Sequence, residues 1–468
     1  MKRILFISLA VALALSMGLI GCGGETQEPE APASIKIGMA RDLDGDLSVF
    51  ECGYAGVSTR YMVNKINSEG GIYLSDYDET VPLELIVRDF DIATWDIAAV
   101  TEALIETEEV DVIFGGPGTD SIFTQAPVCN AKATIFLGME GGSASMIWDG
   151  DIDNWPYVWP TLGFSTWYQM PILHSIMQEV TGKENPVVYM TYIGGAAATH
   201  GIEYSTACKE AFGDDYFIDG GYHDFNLFET GAASAVVSAA QAALGDPANP
   251  NYDLCLFQSY PWNTMALTIA LLGSDFNPPA IMMGPGAMGY EYPAGFGAAA
   301  VEGVMCYGTA TEETSPKLAQ MFDELADQVE MDWDDPNLIC EQGTYTSGHD
   351  QLDVWGNPCY VAGIEMWAQA VENAGNLDST AVRNELVAFS EDNPADTVLG
   401  DCWFHVFGNG NGGGILDYLC HTGEIFQWQG GVAKIIGYDG VESVMPAYKA
   451  TGDLIYPMTD QWAWMLAS

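Results

Sequence analysis

Two hydrophobic rhythms alternate along this chain. Short apolar runs of strand length are followed by longer stretches whose apolar positions recur at helical spacing. Ile35–Ala40 reads as a strand, and Phe50–Ser68 reads as a helix that stops at Gly70-Gly71. Leu83–Asp89 is a strand, Thr94–Glu106 a helix, Val110–Gly115 a strand, Ser121–Ala131 a helix and Thr134–Leu137 a strand. The rhythm then restarts. Helices at Trp167–Val180, His200–Phe212, Ala232–Leu244 and Thr264–Leu272 are interleaved with strands at Pro186–Tyr192, Phe217–Gly221, Leu254–Gln258 and Ala280–Met283. Further helices are expected at Pro316–Gln328, Tyr360–Ala374 and Ser379–Phe389, with short strands at Trp403–Phe407, Ile425–Gln429 and Val432–Tyr438. Strand–helix alternation predicts an α/β fold with parallel, doubly wound sheets, and the restart predicts two of them, hence two lobes.

The first residues follow a different pattern. Lys2 and Arg3 precede an apolar run from Ile4 to Ile20, and Leu19-Ile20-Gly21-Cys22 follows. This reads as an export signal. It resembles a bacterial lipobox, in which Cys22 becomes the lipidated first residue of the mature chain; an ordinary signal peptide or a single membrane anchor are the alternatives. Gly23–Ser34, polar and rich in Pro and Glu, reads as a flexible tether. No later apolar run approaches the roughly 18 residues of a spanning helix, so a soluble body held outside the membrane by lipid alone is expected.

Composition narrows the picture. The 468 residues suit two or three domains, and 48% hydrophobic against 17% charged residues allows large cores. Lys and Arg number 14 against 65 Asp and Glu, a net charge of −51. Such a surface repels phosphate backbones, which argues against nucleic-acid partners. The acids are dispersed, as on a solvated surface suited to salty, cation-rich or acidic surroundings. Ten cysteines leave nine beyond Cys22, an odd number, and no Cys-x-x-Cys occurs. Cys402 and Cys420 flank a glycine-rich turn and are the expected disulfide.

Several segments occur together in a telling order: the opening strand IKIGMA, Asn64–Ile72 ending in Glu-Gly-Gly-Ile, Leu83–Asp91, Val110–Pro117, Ala126-Pro127, the late helix within Tyr360–Leu377 and Phe426-Gln427-Trp428. From about Ile35 to Gly430 the chain resembles the leucine/isoleucine/valine-binding group of type I periplasmic binding proteins. The resemblance implies two α/β lobes joined by a three-strand hinge, with a small solute trapped between them and delivered to the permease of an ABC importer. It implies lobes of about 35–158 plus 306–400 and 159–305 plus 401–468, a monomer and no cofactor.

Candidate ligand contacts lie in loops after strands, where open α/β sheets bind ligands. Phe50 closes the first loop. Within that loop, Asp42, Asp44 and Asp46 form either a cation-binding turn or a solvated one, the solvated turn being preferred because the downstream Glu of a calcium loop is missing; no metal is expected. In the second loop, Thr119, Asp120 and Ser121 stand where the family sets hydroxyls and helix amides against a carboxylate; Thr119 or Asp120 as a simple helix cap is the alternative. Glu140, Gly141, Gly142 and Ser143 match the family's next loop. On the second lobe, His200 and the aromatic pair Tyr260 and Trp262 are expected in the cleft, with a capping histidine and core aromatics as alternatives. Gly286 stands where amino-acid-binding members tend to carry an acid for the ligand's ammonium. That leaves the solute open among amino acids, amides, amines and organic acids.

Two other functions compete. An enzyme is disfavoured because no His-Glu-x-x-His, Gly-x-Ser-x-Gly or phosphate-binding loop occurs and the six histidines lack metal-ligand spacing. A ligand-sensing receptor subunit uses the same fold but would need a signalling partner.

Overall fold

The computed structural model describes residues 30–45, 47–116, 118–139, 155–161, 166–194, 198–223, 230–406, 413–417, 420–421, 423–436 and 450–456. The lipobox with Cys22 and most of the tether lie outside these residues, as do Asp46 and the loop Glu140–Ser143.

In the first lobe, β1 (Ile35–Arg41) occupies the middle of a sheet, and Ile35, Ile37, Met39 and Ala40 are all buried. After a hairpin of β2 (Ile72–Leu74) and β3 (Glu79–Val81), the strands β4 (Leu83–Asp89), β5 (Val112–Phe114) and β6 (Ile135–Leu137) complete it in the order β4-β1-β5-β6. The sheet is parallel, with Ile35–Arg41 paired residue for residue to Leu83–Asp89. Apolar runs buried on both faces need helical cover. It comes from Ala55–Ser68, Ile97–Glu106 and Gly118–Ala131. The expected helix Phe50–Ser68 opens instead as a wide π-helical turn, Phe50–Tyr54, where Gly53 and Gly56 weaken regular winding.

The second sheet contains β7 (Val188–Ile193) and β8 (Phe217–His223), then, past a small hairpin β9 (Gly245–Asp246) and β10 (Asn249–Pro250), β11 (Leu254–Ser259), β12 (Ile281–Pro285) and β13 (Met305–Gly308). The chain then returns to the first lobe. Pro316–Trp333, Gly356–Ala374 and Ser379–Ala388 are helical, and Asn357 Nδ2 donates to the Tyr54 carbonyl and to Ser58 Oγ, tying the second of them to Ala55–Ser68. Two hairpins follow, β14 (Ala395–Thr397) with β15 (Gly400–Cys402) and β16 (Phe404–Val406) with β17 (Gly414–Leu416), before β18 (Glu424–Gln429) and β19 (Val432–Ile435). The seven strands run β19-β18-β13-β12-β11-β7-β8, with β18 and β19 antiparallel. Alternation along these strands divides two cores. Met190, Leu256 and Met282 pack with Leu173, Tyr204 and Phe212, whereas Tyr189, Phe257 and Met283 face Val237 and Leu267.

Three segments connect the lobes side by side. Trp159 N donates to Phe136 O and Leu416 N to Pro160 O; Thr309 N donates to Val354 O; Thr311 N donates to the Glu424 carboxylate. Glu424 and His421 are buried here. Burial pushes Glu424 up to about 8, and burial lowers His421 to about 4.

The disulfide expectation is corrected. Cys52 and Cys340, 288 positions apart, are bridged with a Cα–Cα distance of 5.2 Å, while Cys402 and Cys420 are free thiols. Local spacing finds neighbours; it carries no information about a contact made by folding the π turn against the segment after Pro316–Trp333. Among the described residues no helix is long and apolar enough to cross a membrane.

Candidate functional site

Each sheet reverses its strand order at one place. In the first lobe the reversal falls between β1 and β5, in the second between β7 and β11. At such switch points neighbouring loops leave in opposite directions and open a crevice beyond the carboxyl ends of the strands. The chain at these ends is Arg41, Gly115-Gly116, Ile193-Gly194 and Ser259-Tyr260.

The two crevices face each other. Gly118, at φ +76°, begins the helix after β5, and a Cβ placed on it would lie 3.8 Å from the hydroxyl of Tyr260, which follows β11. A side chain there would be strained and would narrow the gap. Thr119 and Ser121 in the next turn are buried, and Ser121 Oγ has no hydrogen-bond partner among the described residues. Asp120 between them is half-buried, and burial pushes its carboxyl up to about 6. Gln125, one turn on, accepts from Gly116 N and donates to Thr101, which holds the loop to its helix.

Across the gap, Tyr260 and Trp262 stack with centroids 5.1 Å apart and planes at 14°, and Trp262 packs against the small cluster that Tyr260 forms with Ile193. Gln258, fully buried, accepts from Ile193 N at 2.8 Å and so joins β7 to β11 at the switch point. Its Nε2 has no partner among the described residues. Ser121 Oγ and Gln258 Nε2 are thus a hydroxyl and an amide donor in need of acceptors, and buried polar groups left unmatched are costly. They suit a solute oxygen, with the stacked aromatics covering its apolar part.

Gly286 lies under this aromatic turn. A Cβ on it would fall 2.0 Å from Thr264 Oγ1 and 2.5 Å from the Tyr260 carbonyl. Its lack of a side chain lets β12 approach the helix Pro261–Leu272. Phe50 is buried in the first lobe with its ring edge against Tyr54, 5.3 Å between centroids. The backbone at His200 is helical; Glu140, Gly141, Gly142 and Ser143 lie outside the described residues. The structure therefore brings together Thr119–Ser121, Tyr260, Trp262 and Gly286. Asp42, Asp44 and Asp89 gather their oxygens within 4.8 Å, but Asp42 accepts from Gly45 N and Leu47 N and Asp89 from Leu43 N, the bonding of a closed turn.

Some residues at the lobe faces escaped sequence reading. Arg41 is buried against Glu51 at 3.1 Å, Glu51 also pairs with Arg60, and Arg60 binds Asp332 at 2.8 Å. Tyr360 donates to Gly115 O at 2.8 Å, fixing the loop before Gly118. Tyr54 of the first lobe donates to Glu291 of the second, a carboxyl that burial pushes up to about 7. An arginine ending an apolar strand was a usable signal; the depth of Glu291 was not.

A family model described as periplasmic binding protein matches residues 34–410. No curated protein matches significantly. Solved structures similar in fold include the branched-chain amino acid transporter substrate binding protein LivJ of Streptococcus pneumoniae in complex with isoleucine, at 16% identity and TM-score 0.61, over 91% of this chain and 100% of that one. The leucine binding protein LivK of Thermotoga maritima aligns at 14% identity and TM-score 0.61, over 86% and 97%. A solute binding protein of an ABC transporter from Rhodopseudomonas palustris, in complex with 3,4-dihydroxybenzoic acid, aligns at 13% identity and TM-score 0.58, over 84% and 92%.

Proposed function

The chain belongs to the periplasmic binding protein family, and from that premise we propose that it captures a small polar solute outside the cell membrane and presents it to an ABC importer. The carrying observation is the approach of Gly118 and Tyr260, which sets the two switch-point crevices against each other. A solute touching both lobes favours the closed form by its differential affinity, and the permease reads that form. The solute is an amino acid or a related amide, amine or organic acid, held by Thr119, Ser121 and Gln258 through its oxygens and by Tyr260 and Trp262 through its carbon skeleton. Likenesses to proteins in complex with isoleucine and with 3,4-dihydroxybenzoic acid support a ligand of this size. Binding and release complete the cycle, with no bond made or broken.

Cys22 carries the lipid in this reading, and the polar stretch after it holds the body off the membrane. Mass spectrometry of small molecules released by denaturing the purified protein tests the binding role. A stoichiometric solute that also raises the melting temperature on re-addition is expected. A protein that releases no solute and shows no thermal shift with amino acids, amines or organic acids refutes it. Loss of membrane association in Cys22→Ala tests the anchor.

A further inference from the structure

Cys402 ends β15, and β15 is fastened to the first lobe. Ala395 of β14 pairs with Cys402, Val398 N donates to Glu365 at 2.6 Å, and Gln369 Nε2 donates to Asp396 O at 2.9 Å, both partners lying on the helix Gly356–Ala374. Cys420 comes from a different place in the fold. It directly precedes His421, which enters the third connection between the lobes. Trp403 N, one peptide bond beyond Cys402, donates to Cys420 Sγ at 3.5 Å, and Cys420 Sγ in turn donates to Trp403 O at 3.4 Å, which sets the Cys420 sulfur against the backbone next to Cys402. Thr397 Oγ1 donates to Cys402 Sγ at 3.4 Å and holds it in place. The other bridge, Cys52–Cys340, shows that this chain is built to carry disulfides.

We propose that Cys402 and Cys420 form a redox-active dithiol that closes to a second disulfide, fastening the third connection to the first lobe. The co-reactant is a small-molecule disulfide such as oxidised glutathione. One cysteine thiolate attacks it, forming a mixed disulfide and releasing one glutathione thiolate. The second cysteine then attacks the mixed disulfide and releases the other. Two protein thiols lose two electrons and two protons, and the oxidant becomes two thiols. Both thiols are buried, which hinders exchange in the folded chain. The bridge therefore closes during folding in an oxidising compartment and stays open in protein folded under reducing conditions.

Full-length protein refolded in a glutathione redox buffer, alkylated and digested with chymotrypsin without reduction, tests this. Chymotrypsin cuts between the two cysteines, at Phe404 and Leu416. A peptide containing Cys402 joined to one containing Cys420 is expected, and it separates on reduction. The oxidised protein should melt a few degrees above the same protein in which only this pair remains reduced. The double variant Cys402→Ala/Cys420→Ala should lose that increment while keeping the Cys52–Cys340 bridge. Alkylation of both thiols after oxidative refolding, or a bridge from either to another cysteine, overturns the proposal.

Discussion

A side chain at position 286 has no room, because the Thr264 hydroxyl and the Tyr260 carbonyl already occupy the space. Gly286→Ala is expected to cost about 1–3 kcal/mol, as overpacking does, and denaturant titration measures it. The acid that the resemblance leads one to expect there would meet the same obstruction, so its absence is a packing fact before it is a statement about the ligand. Tyr260→Ala removes the ring that faces Gly118 and stacks on Trp262. It should weaken binding of the co-purified solute at least tenfold, about 1.4 kcal/mol, by calorimetry on the folded variant. The part of Thr119, Ser121 and Tyr260 in binding belongs to the proposed function; their positions just past strand ends were legible from the strand–helix alternation. Gln258 and Glu291 were not. Their burial depends on what covers them, and that is decided by segments far away in the sequence.

Elements were read more faithfully than residues. Leu83–Asp89 appears as expected, and Ile35–Ala40 differs from its strand by one residue. The central strand Ile35–Arg41 is buried along nearly its whole length, and the edge strand Leu83–Asp89 keeps its apolar residues half-buried or buried alongside exposed Glu84 and Arg88, so both stand out as apolar runs. The strand Met305–Gly308 went unread because it is short and includes Cys306 and Gly308, while its pairing with Phe426 is antiparallel and remote. The connecting segments were recognised by family likeness, but not their buried acid. Glu424 stays protonated in the folded chain up to about 8, whereas an unfolded glutamate ionises near its ordinary value of 4.5. Between these values the folded form binds more protons, so stability falls as pH rises through that window. Glu424→Gln should flatten the fall, by roughly 1–3 kcal/mol between pH 5 and 8, as urea unfolding at several pH values would show. The Cys52–Cys340 bridge joins elements too far apart for spacing to pair them. The variant Cys52→Ser/Cys340→Ser should lose about 2–5 kcal/mol, by the same titration with and without reductant.

At the scale of the molecule, a net charge of −51 repels itself. Sodium chloride should therefore raise the melting temperature progressively over the first few hundred millimolar, where screening lengths shrink below the distance between neighbouring surface charges. A melting temperature indifferent to salt would remove the reading of the surface as adapted to cation-rich surroundings. The scarcity of positive charge gives the buried quartet Arg41, Glu51, Arg60 and Asp332 a second effect. Two of only fourteen cationic side chains are locked inside it, where their charge is matched at once and is no longer available outside. The quartet is itself neutral, two cations against two acids, so the rest of the chain still carries the whole net charge of −51 and gathers a sheath of mobile counter-cations. On the proposed function, the importer that docks on that exterior displaces part of the sheath, so the ions released become part of the driving force for the encounter.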